Sequence, residues 1–579
     1  MEVKGFDQVR TKMATLRSLA VMRFRRLMGV GLSLLALGAC SESQSPQPKA
    51  TLLPASGQVA LETPKPTSIR AYAAARFLDQ ASFGPSPSAV AAVQAIGYEK
   101  WIDQQLSLPP TQIDGRPLLA WSDRNTLTKE QNNLDNNFNR LETSRAFLQA
   151  PDQLRLRVTW ALSNFIVVSQ NKINPYGITE YFNMLQRQSL GNFGTLIEEV
   201  IRNPAMGQYL DNNQNRKQGA CSNCFLNENF GRELMQLFTV GVFMLNKDGS
   251  YKKDASGRPI ETYSQADVQD ITRALTGWDM DNAHVRTVPN ENHPNWAAFE
   301  RRMIQRWIGN HDDGEKRVLG KTIAAKQSAE QDARSVVEIL LNHPNTGPFV
   351  VYRLIQSLVT SDPSPAYMAR IVSVFENNGK AVRGDLAAVV KAILLDPEAR
   401  RADDPSYREL QVGRIKEPVL QAISVMRALE CQSPLTMSWN KYQVYGINNQ
   451  QPLNAPSVFS FFSPMHRAPG SNVLAPEQKL LDSKEFRDRL GGLSQVYDRD
   501  GSAFVNAGCQ FDQFVNALTQ SQDAFIELMS QRLFKGSMSP TLREASKTLL
   551  DETRNDSAGQ RAALVMTFML TTPAFGVIK

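Results

Sequence analysis

The sequence predicts a mainly α protein: a large multi-helix, bundle-like domain with one small β-hairpin and long irregular loops. Apolar residues recur at the 3.6-residue spacing of amphipathic helices over most of the chain after residue 70. Short breakers such as His343-Pro344-Asn345 and Asn378-Gly379 separate these segments, and helices joined so tightly pack antiparallel. The 579 residues are 42% hydrophobic and 21% charged, which is the composition of an ordinary globular protein.

The amino terminus has the pattern of a secretory signal. Arginines up to Arg26 precede an apolar run over residues 27–37, which is too short to span a bilayer as a mature helix. The next residues, Leu37-Gly38-Ala39-Cys40, resemble the bacterial lipobox, in which the cysteine is acylated and becomes the first mature residue. We therefore expect a lipoprotein signal peptide over residues 1–39 and lipidation at Cys40. A cleaved secretory peptide with an incidental cysteine is the alternative.

A tether and a large domain follow this signal. Residues 40–66 are rich in Ser, Pro and Gln and predict a flexible linker. Residues 67–579 form the predicted helical domain, with a subdivision near 320–330 left open. Acyl chains anchor a protein by about 0.8 kcal/mol per buried CH₂. The expected location is therefore the cell envelope, anchored by lipid at the outer membrane or the periplasmic face, with the membrane as a partner.

The basic net charge belongs mostly to the signal. Of the total of +7, residues 1–39 carry +5, so the rest of the chain carries +2. No basic stripe with interleaved aromatic residues remains to indicate a nucleic-acid interface. The sequence predicts no nucleic-acid partner.

Four cysteines remain beside Cys40, and an even number in an oxidising compartment favours structural disulfides. The simplest pairing is Cys221–Cys224 and Cys431–Cys509. The Cys221–Cys224 spacing also fits a redox site, although the βαβ context of such sites is missing. A zinc site would require a second cysteine pair or histidines at ligand spacing.

The segment from Asn227 to Gly241 carries the densest polar pattern and predicts an amphipathic helix. Asn227 is suited to cap its start and Gly241 to end it. On one face Asn229 and Glu233 align with a second amide at i, i+4 and i+7, and we expect this row to line a site. The alternative is a solvated face on which Glu228 and Arg232 form an ordinary i, i+4 pair. The apolar face comprises Phe230, Leu234, Leu237 and Phe238.

A β-hairpin and a second polar helix are predicted next. Asp248-Gly249 and Ser256-Gly257 mark turns around short runs near Tyr251 and residues 260–263. Ser264 then opens a helix that closes near Trp278, and Asp267 stands three residues after that serine. This spacing is close to a capping box, so a cap is favoured over catalysis for Asp267.

Residues 279–320 lack periodicity, and irregular segments of this length are usually functional loops or disorder. His311, Asp312 and Lys316 stand within six residues of one another. An imidazole beside a carboxylate can bind a divalent metal or share a proton, but no HExxH or EF-hand spacing is present. The alternative is a tight Asp-Gly turn with solvated charges.

The second half of the chain is dense in predicted helices from Gln331 onward. Residues 431–480 turn irregular and contain an aromatic loop, Leu453 to Pro464. This loop must be buried or must cover something. Helices are expected again from about Ala475 to the end.

Several of these stretches resemble a bacterial family called domain of unknown function 1800. The family implies a large, mainly helical, exported protein, often encoded beside another uncharacterised family, and it brings no agreed activity. Some members carry His where this chain has Phe238, which puts any ligand role of that position in doubt here. The matching stretches are Arg76 to Pro85, Asn203 to Met206, Asn227 to Gly241, Tyr263 to Trp278, His311 to Gly320, His343 to Asn345, Val382 to Leu386, and Ala455 to Phe462.

The functional hypothesis is an envelope lipoprotein that binds or processes a cell-envelope or extracellular polymer through a polar cleft. If the protein is an enzyme, Glu233 or His311 is the expected general base, and Asp312 orients it or binds a divalent metal. No Gly-x-Ser-x-Gly, zinc or phosphate-loop signature names a reaction or a cofactor. The alternative is a non-catalytic helical scaffold that assembles with a co-exported partner. The residues expected at the cleft are Asn229, Arg232, Glu233, Tyr263, Asp267, Trp278, His311, Asp312 and Lys316.

Overall fold

The computed structural model describes residues 69–120, 128–222, 224–281, 296–407, 413–437, 440–444, 449–481 and 502–578. The predicted signal peptide, Cys40 and the tether lie outside the described residues. One compact unit runs from Pro66 to Lys579. None of the helices in the described ranges combines the length and the apolar character needed to cross a membrane.

Helices dominate the first half of the domain, as predicted. They are α1 (Ala71–Ala81), α2 (Pro87–Ile96), α3 (Tyr98–Ser107), α4 (Arg116–Ala120), α5 (Lys129–Gln149), α6 (Gln153–Ser163), α7 (Pro175–Gln188), α8 (Phe193–Arg202), α9 (Pro204–Tyr209), α10 (Asn229–Glu233) and α11 (Gln265–Ala274). Side-chain caps fix many starts: Thr128 and Gln131 form a capping box at α5, and Asn174 accepts from the Gly177 N–H at α7.

Helices also dominate the second half. They are α12 (Ala329–Asn342), α13 (Thr346–Leu358), α14 (Pro365–Glu376), α15 (Leu386–Leu395), α16 (Pro397–Arg400), α17 (Pro418–Ala428), α18 (Ser502–Asn506), α19 (Asp512–Gln520), α20 (Gln522–Phe534), α21 (Pro540–Glu552), α22 (Ala558–Leu570) and α23 (Pro573–Gly576). Short 3₁₀ helices cover Trp296–Glu300, Ile308–Asn310, Arg401–Asp403 and Pro476–Leu480. The mainly α fold class is confirmed.

Strand pairing is more extensive than the single predicted hairpin. The predicted hairpin region forms isolated bridges, among them Leu245 with Tyr251 and Lys253 with Pro259. Four two-stranded antiparallel sheets occur elsewhere in the described residues. Their strands are β1 (Trp278–Asp279) with β2 (Ile304–Gln305), β3 (Lys316–Val318) with β4 (Lys321–Ile323), β5 (Arg414–Ile415) with β8 (Val577–Ile578), and β6 (Thr436–Met437) with β7 (Asn440–Val444).

One contiguous apolar core joins the two halves. Its largest fully buried side chains include Trp160, Tyr181 and Tyr367. The two predicted disulfides, Cys221–Cys224 and Cys431–Cys509, are both present. Burial of so many aromatic and aliphatic side chains supplies the main stabilisation of the fold.

Distant parts of the chain are tied together by ions as well as by apolar contacts. The carboxylate of Asp79, on α1, lies 3.2 Å from the Lys416 ammonium and 2.6 Å from the Lys535 ammonium. Strand β5 pairs with β8 at the carboxyl end of the described chain. The segment around residue 414 is therefore fixed both by the ion pair of Lys416 with Asp79 and by the pairing of β5 with β8.

The helix predicted from Asn227 to Gly241 changes character halfway. It begins as α10, with the Asn227 side chain accepting from the Asn229 N–H at 3.0 Å, and continues as a π-helix over Leu234–Thr239. The Gly241 N–H reaches the Met235 carbonyl at 2.9 Å, with φ at +71°. A side chain there would meet the Phe349 ring at 2.7 Å, so close packing as well as backbone conformation requires glycine. The predicted stop at Gly241 is present. At the start, Glu228 and not Asn227 occupies the N-cap position, because the helix begins at Asn229.

Candidate functional site

The polar face of α10 and the π-helix is partly paired. Tyr263 donates from its hydroxyl to Gln236 Oε1 at 2.8 Å, and Arg232 donates to Glu228 at 2.8 Å and to Gln265 at 3.2 Å. Asn229 donates to the Asp211 carboxylate at 3.4 Å. These bonds join the polar face to Tyr263, to the start of α11 and to the loop after α9. They do not bring the polar side chains together at one site.

Glu233 is different because it is buried and incompletely bonded. Its side chain is 8% exposed, and Oε2 has no hydrogen-bond partner in the described part of the chain. Burial raises the pKa of this carboxyl group, and the nearby Arg232 opposes that effect. Glu233 is thus a carboxyl group held in an unfavourable setting next to a π-helix, a combination that is frequent at functional sites.

Asp267 serves as a helix cap. Oδ2 accepts from the Ser264 N–H at 2.8 Å and from its hydroxyl at 2.6 Å, while Oδ1 accepts from the Leu319 N–H at 2.7 Å. Burial alone would raise its pKa, but these hydrogen bonds outweigh burial and hold the pKa below its usual range. The geometry agrees with the favoured interpretation of Asp267 as part of a capping box.

His311 and Lys316 converge on a carboxylate that the sequence analysis did not single out. His311 Nδ1 donates to the Thr276 carbonyl at 2.9 Å, and Nε2 lies 3.2 Å from Asp332 Oδ2. Lys316 Nζ donates to the same Oδ2 at 2.5 Å and also to the Asp312 carbonyl. All three side chains are at most 2% exposed. The group links β3 to the first turns of α12 and lies out of contact with solvent.

Asp312 points to a different partner. Its carboxylate accepts from Arg273 Nε at 2.9 Å and from Arg273 Nη2 at 3.1 Å, a two-point ion pair. Burial raises the pKa of Asp312, but Arg273 and the Gly314 N–H outweigh burial and lower it. The described residues contain no group of three or more His, Cys, Asp or Glu side chains arranged to hold a metal. His311 and Asp312 thus bond to different partners, Asp332 and Arg273.

Trp278 is also not a contact surface. Its side chain is completely buried, with the Arg202 guanidinium 5.3 Å from the ring centre. Among the described residues, no hydrogen bond or ion pair links any two of Glu233, Asp267 and His311. The expected cleft residues thus separate into a partly paired helix face, a helix cap, a buried ion group and a core tryptophan.

A cavity in another part of the domain was missed as a site. It has a volume of about 180 Å³ and opens between α6, α13 and the aromatic loop. The aromatic loop from Leu453 to Pro464 covers this cavity, and Val458, Phe459 and Phe462 lie on the cavity wall. Phe459 is 60% exposed. The remaining lining residues are Ala161, Asn164, Phe165, Leu237, Phe349, Arg353, Gln356, Ser357, Arg414, Glu417, Ser463, Pro464, Pro476 and Glu477.

The cavity floor is a buried ion group centred on Arg414. Arg414 donates from Nη2 to Glu417 Oε1 and from Nε to Glu477 Oε1 at 3.0 Å. The other oxygen of Glu417 accepts from Trp160 Nε1 at 3.2 Å and from Gln450. The other oxygen of Glu477 accepts from the Ser361 hydroxyl at 2.9 Å. Every carboxylate oxygen of the floor therefore has a donor.

The pKa values of the two floor carboxylates are shifted in opposite directions. Burial raises the pKa of both, but Arg414 and Arg157 outweigh burial at Glu417 and lower its pKa. At Glu477 burial prevails over Arg414, and the Glu417 charge adds to the increase, so the pKa of Glu477 is raised. Arg157, fully buried and donating to the Ser357 carbonyl as Arg414 does, has its pKa lowered by burial to about 9.

Arg353 lies on the cavity wall, and none of the described residues is an acidic partner for it. Within the described ranges it makes no ion pair, and its one hydrogen bond reaches Gln356 Oε1 at 3.4 Å. Its guanidinium lies 4.9 Å from the centre of the Phe349 ring, a cation–π distance. Burial lowers the pKa of Arg353 to about 10, so the group keeps its charge at neutral pH.

Local sequence patterns give little warning of this cavity. Arg414 and Glu417 have the i, i+3 spacing of ordinary surface pairs, and Glu477 lies 63 positions after Arg414. The aromatic run from Phe459 to Phe462 is the one signal in the sequence that pointed here, and it indicated a cover without indicating what lay beneath.

The chain matches the family described as "Protein of unknown function (DUF1800)" over residues 76–577. No curated protein and no solved structure matches it. The matched segment runs from α1 to β8 and includes both the Asn227–Gly241 helix and the cavity. The resemblance seen in the sequence is thereby confirmed, and the chain belongs to the DUF1800 family.

Proposed function

We propose that the protein is a lipid-anchored component of the bacterial cell envelope that binds an envelope or extracellular polymer, one ring-sized unit of which enters the cavity beneath the aromatic loop. The observation that carries the proposal is the cavity itself, with aromatic walls, amide side chains and a charged floor. Our proposal therefore assigns binding to the cavity rather than to the cleft expected around Asn229 and His311.

The size of the cavity supports a single cyclic unit. A cavity of about 150 Å³ is enough for a benzene-sized ring, and this one measures about 180 Å³. The exposed edge at Phe459 leaves room for a chain to continue outward. An extended polymer would thus place one unit or one end in the cavity while the rest stays outside.

The lining chemistry supports a sugar unit. Aromatic faces pack on the apolar C–H face of a ring, while a few polar groups fix its orientation. Phe459 and Phe462 supply the aromatic faces. Asn164 donates to the Trp160 carbonyl and accepts from Ser460, which leaves one amide hydrogen and one lone pair for a ligand hydroxyl group. The floor carboxylates are already bonded on every oxygen. The geometry therefore supports binding more directly than catalysis.

A pair of exposed phenylalanines allows a matched test of the site. We expect Phe459→Ala in the full-length protein, held in detergent micelles, to weaken polysaccharide binding about tenfold, because a stacked aromatic contributes about 0.5–1.5 kcal/mol beyond its buried area. Phe225→Ala is the control, since Phe225 is 76% exposed and does not line the cavity. Binding would be measured by calorimetry over a panel of neutral and acidic polysaccharides. Equal effects of the two substitutions would contradict the assignment of the cavity.

The envelope location rests on the lipobox-like Leu37 to Cys40 segment. We expect Cys40→Ala to abolish incorporation of labelled palmitate in the expressing bacterium and to shift the protein from the membrane pellet to the soluble fraction, since acyl chains supply the anchor. Ser41→Ala serves as a control that changes the neighbouring residue and keeps Cys40. Unchanged membrane association of the Cys40 variant would contradict lipid anchoring.

A scaffold that assembles with a co-exported partner is the second candidate. Structural roles of Asp267, His311 and Lys316, which act as a cap and a buried ion group, favour it. A scaffold would leave the cavity without a polymer ligand, so the Phe459 experiment separates the two candidates.

A further inference from the structure

We propose that the unit bound in the cavity is an acidic sugar, a uronic acid whose carboxylate pairs with Arg353. This inference rests on the proposed function and specifies its ligand class. It follows from the balance of charge around the cavity, from the pairing of the guanidinium groups that line it and from the aromatic character of its walls.

The charges around the cavity do not cancel within the protein. Arg353 and Arg414 line it, and Arg157 lies beside them, donating to the same Ser357 carbonyl as Arg414. Two carboxylates, Glu417 and Glu477, face these three guanidinium groups, and both are bound by Arg414. A positive excess therefore remains at the site, and a partly buried excess charge attracts an anionic ligand.

Arg353 is the cation that a ligand can reach. Arg414 is 3% exposed and saturated by its two carboxylates, and Arg157 is fully buried below it. Arg353 keeps partial exposure to solvent, and its hydrogen bond to Gln356 is long. The Arg353 guanidinium lies over the Phe349 ring, 4.9 Å from its centre. A guanidinium carries a fork of N–H groups that can make two parallel bonds to a carboxylate.

The aromatic walls decide between classes of anion. Inorganic phosphate would satisfy Arg353 but leave Phe459, Phe462 and Phe165 without contact. An acidic peptide side chain is flexible and has no ring to fill the space beneath the loop. A uronic acid carries a carboxylate on a rigid ring with hydroxyl groups, and it uses the guanidinium, the aromatic faces and the Asn164 amide together.

The test compares one acidic probe with its neutral derivative. Oligogalacturonate and its methyl ester would be titrated into the full-length protein in micelles, together with dextran and poly-glutamate. We expect oligogalacturonate to bind, and esterification to weaken its binding about 10- to 100-fold, the range for losing charge-assisted hydrogen bonds. Esterification changes the ligand and not the protein, so this comparison does not depend on how a variant folds.

Substitutions of Arg353 test whether this side chain binds the ligand carboxylate. We expect Arg353→Gln to weaken oligogalacturonate binding to the same extent as esterification and to leave binding of the methyl ester unchanged. Arg353→Lys keeps the charge but loses the fork, and we expect an intermediate loss. Arg306→Gln is the control, because Arg306 also stacks on an aromatic ring, Trp307 at 6.0 Å, but does not line the cavity.

The outcomes separate the ligand class from the function. Binding of dextran that depends on Phe459 and is indifferent to Arg353→Gln would overturn the acidic-sugar inference and leave polymer binding in place. Preferential binding of poly-glutamate would overturn the sugar class. Absence of binding by every polymer in the panel would overturn the proposed function and the inference with it.

Discussion

The region around the Asn227–Gly241 helix and the region around the cavity contain the same kinds of side chain but differ in how these side chains are satisfied. Near the helix, Asp267, Asp312 and Lys316 have specific partners within the protein. At the cavity, Arg353 has space in front of it and no acidic partner in the described chain. A polar residue therefore indicates a binding site when the fold leaves it both accessible and incompletely paired.

The largest expected effect comes from breaking the cavity floor. We expect Arg414→Met to lower the free energy of unfolding by about 3–5 kcal/mol, because it leaves Glu417 and Glu477 buried without their shared cation. Urea unfolding followed by circular dichroism measures this. The control is Arg543→Met, which removes a partly exposed pair with Glu527 and should cost less than about 1 kcal/mol. Similar losses in the two variants would contradict a stabilising role of the Arg414 ion pairs at the cavity floor.

Much of the fold was predictable because helix signals are local. Ser264, Asp385 and Gly241 mark helix ends through bonds to residues three to six positions away, so the signals lie in the adjacent sequence. Helix α5 escaped prediction, since its polar sequence lacks an apolar stripe and its burial depends on packing against α7 and α17. Strands β3 and β4 escaped because three-residue strands carry too little alternation to stand out.

The site was less predictable for the same physical reason. Asp332 and Glu477 acquire their importance from partners 16 and 63 positions away, and no local spacing encodes those contacts. The π-helix depends on tertiary contact as well, since Gly241 is packed against Phe349 of α13. Sequence patterns can identify a polar face, but they cannot show whether the partners of that face arrive from elsewhere in the chain.

In the helix region, Glu233 is incompletely paired, as Arg353 is at the cavity. Substituting Glu233 is therefore the most sensitive test of the comparison between the two regions. Its carboxyl group is buried with Oε2 unbonded, and burial raises its pKa. An acid whose pKa is raised by folding favours the folded state below its unfolded pKa, and this contribution is lost as the pH rises through the folded pKa. The ionised carboxylate is thus a burden on stability at neutral pH.

We therefore expect Glu233→Gln to melt at the same temperature as the parent protein near pH 4 and at a higher temperature at pH 7. The gain in the free energy of unfolding should be smaller than the loss expected for Arg414→Met. Glu228→Gln is the control, because Glu228 is paired with Arg232 and its side chain is 28% exposed. Thermal melts across this pH range measure the difference. If Glu233→Gln is more stable at pH 7 but no longer binds polymer, the unfavourable burial of Glu233 serves function; if binding is unchanged, the helix region is structural and the cavity acts alone.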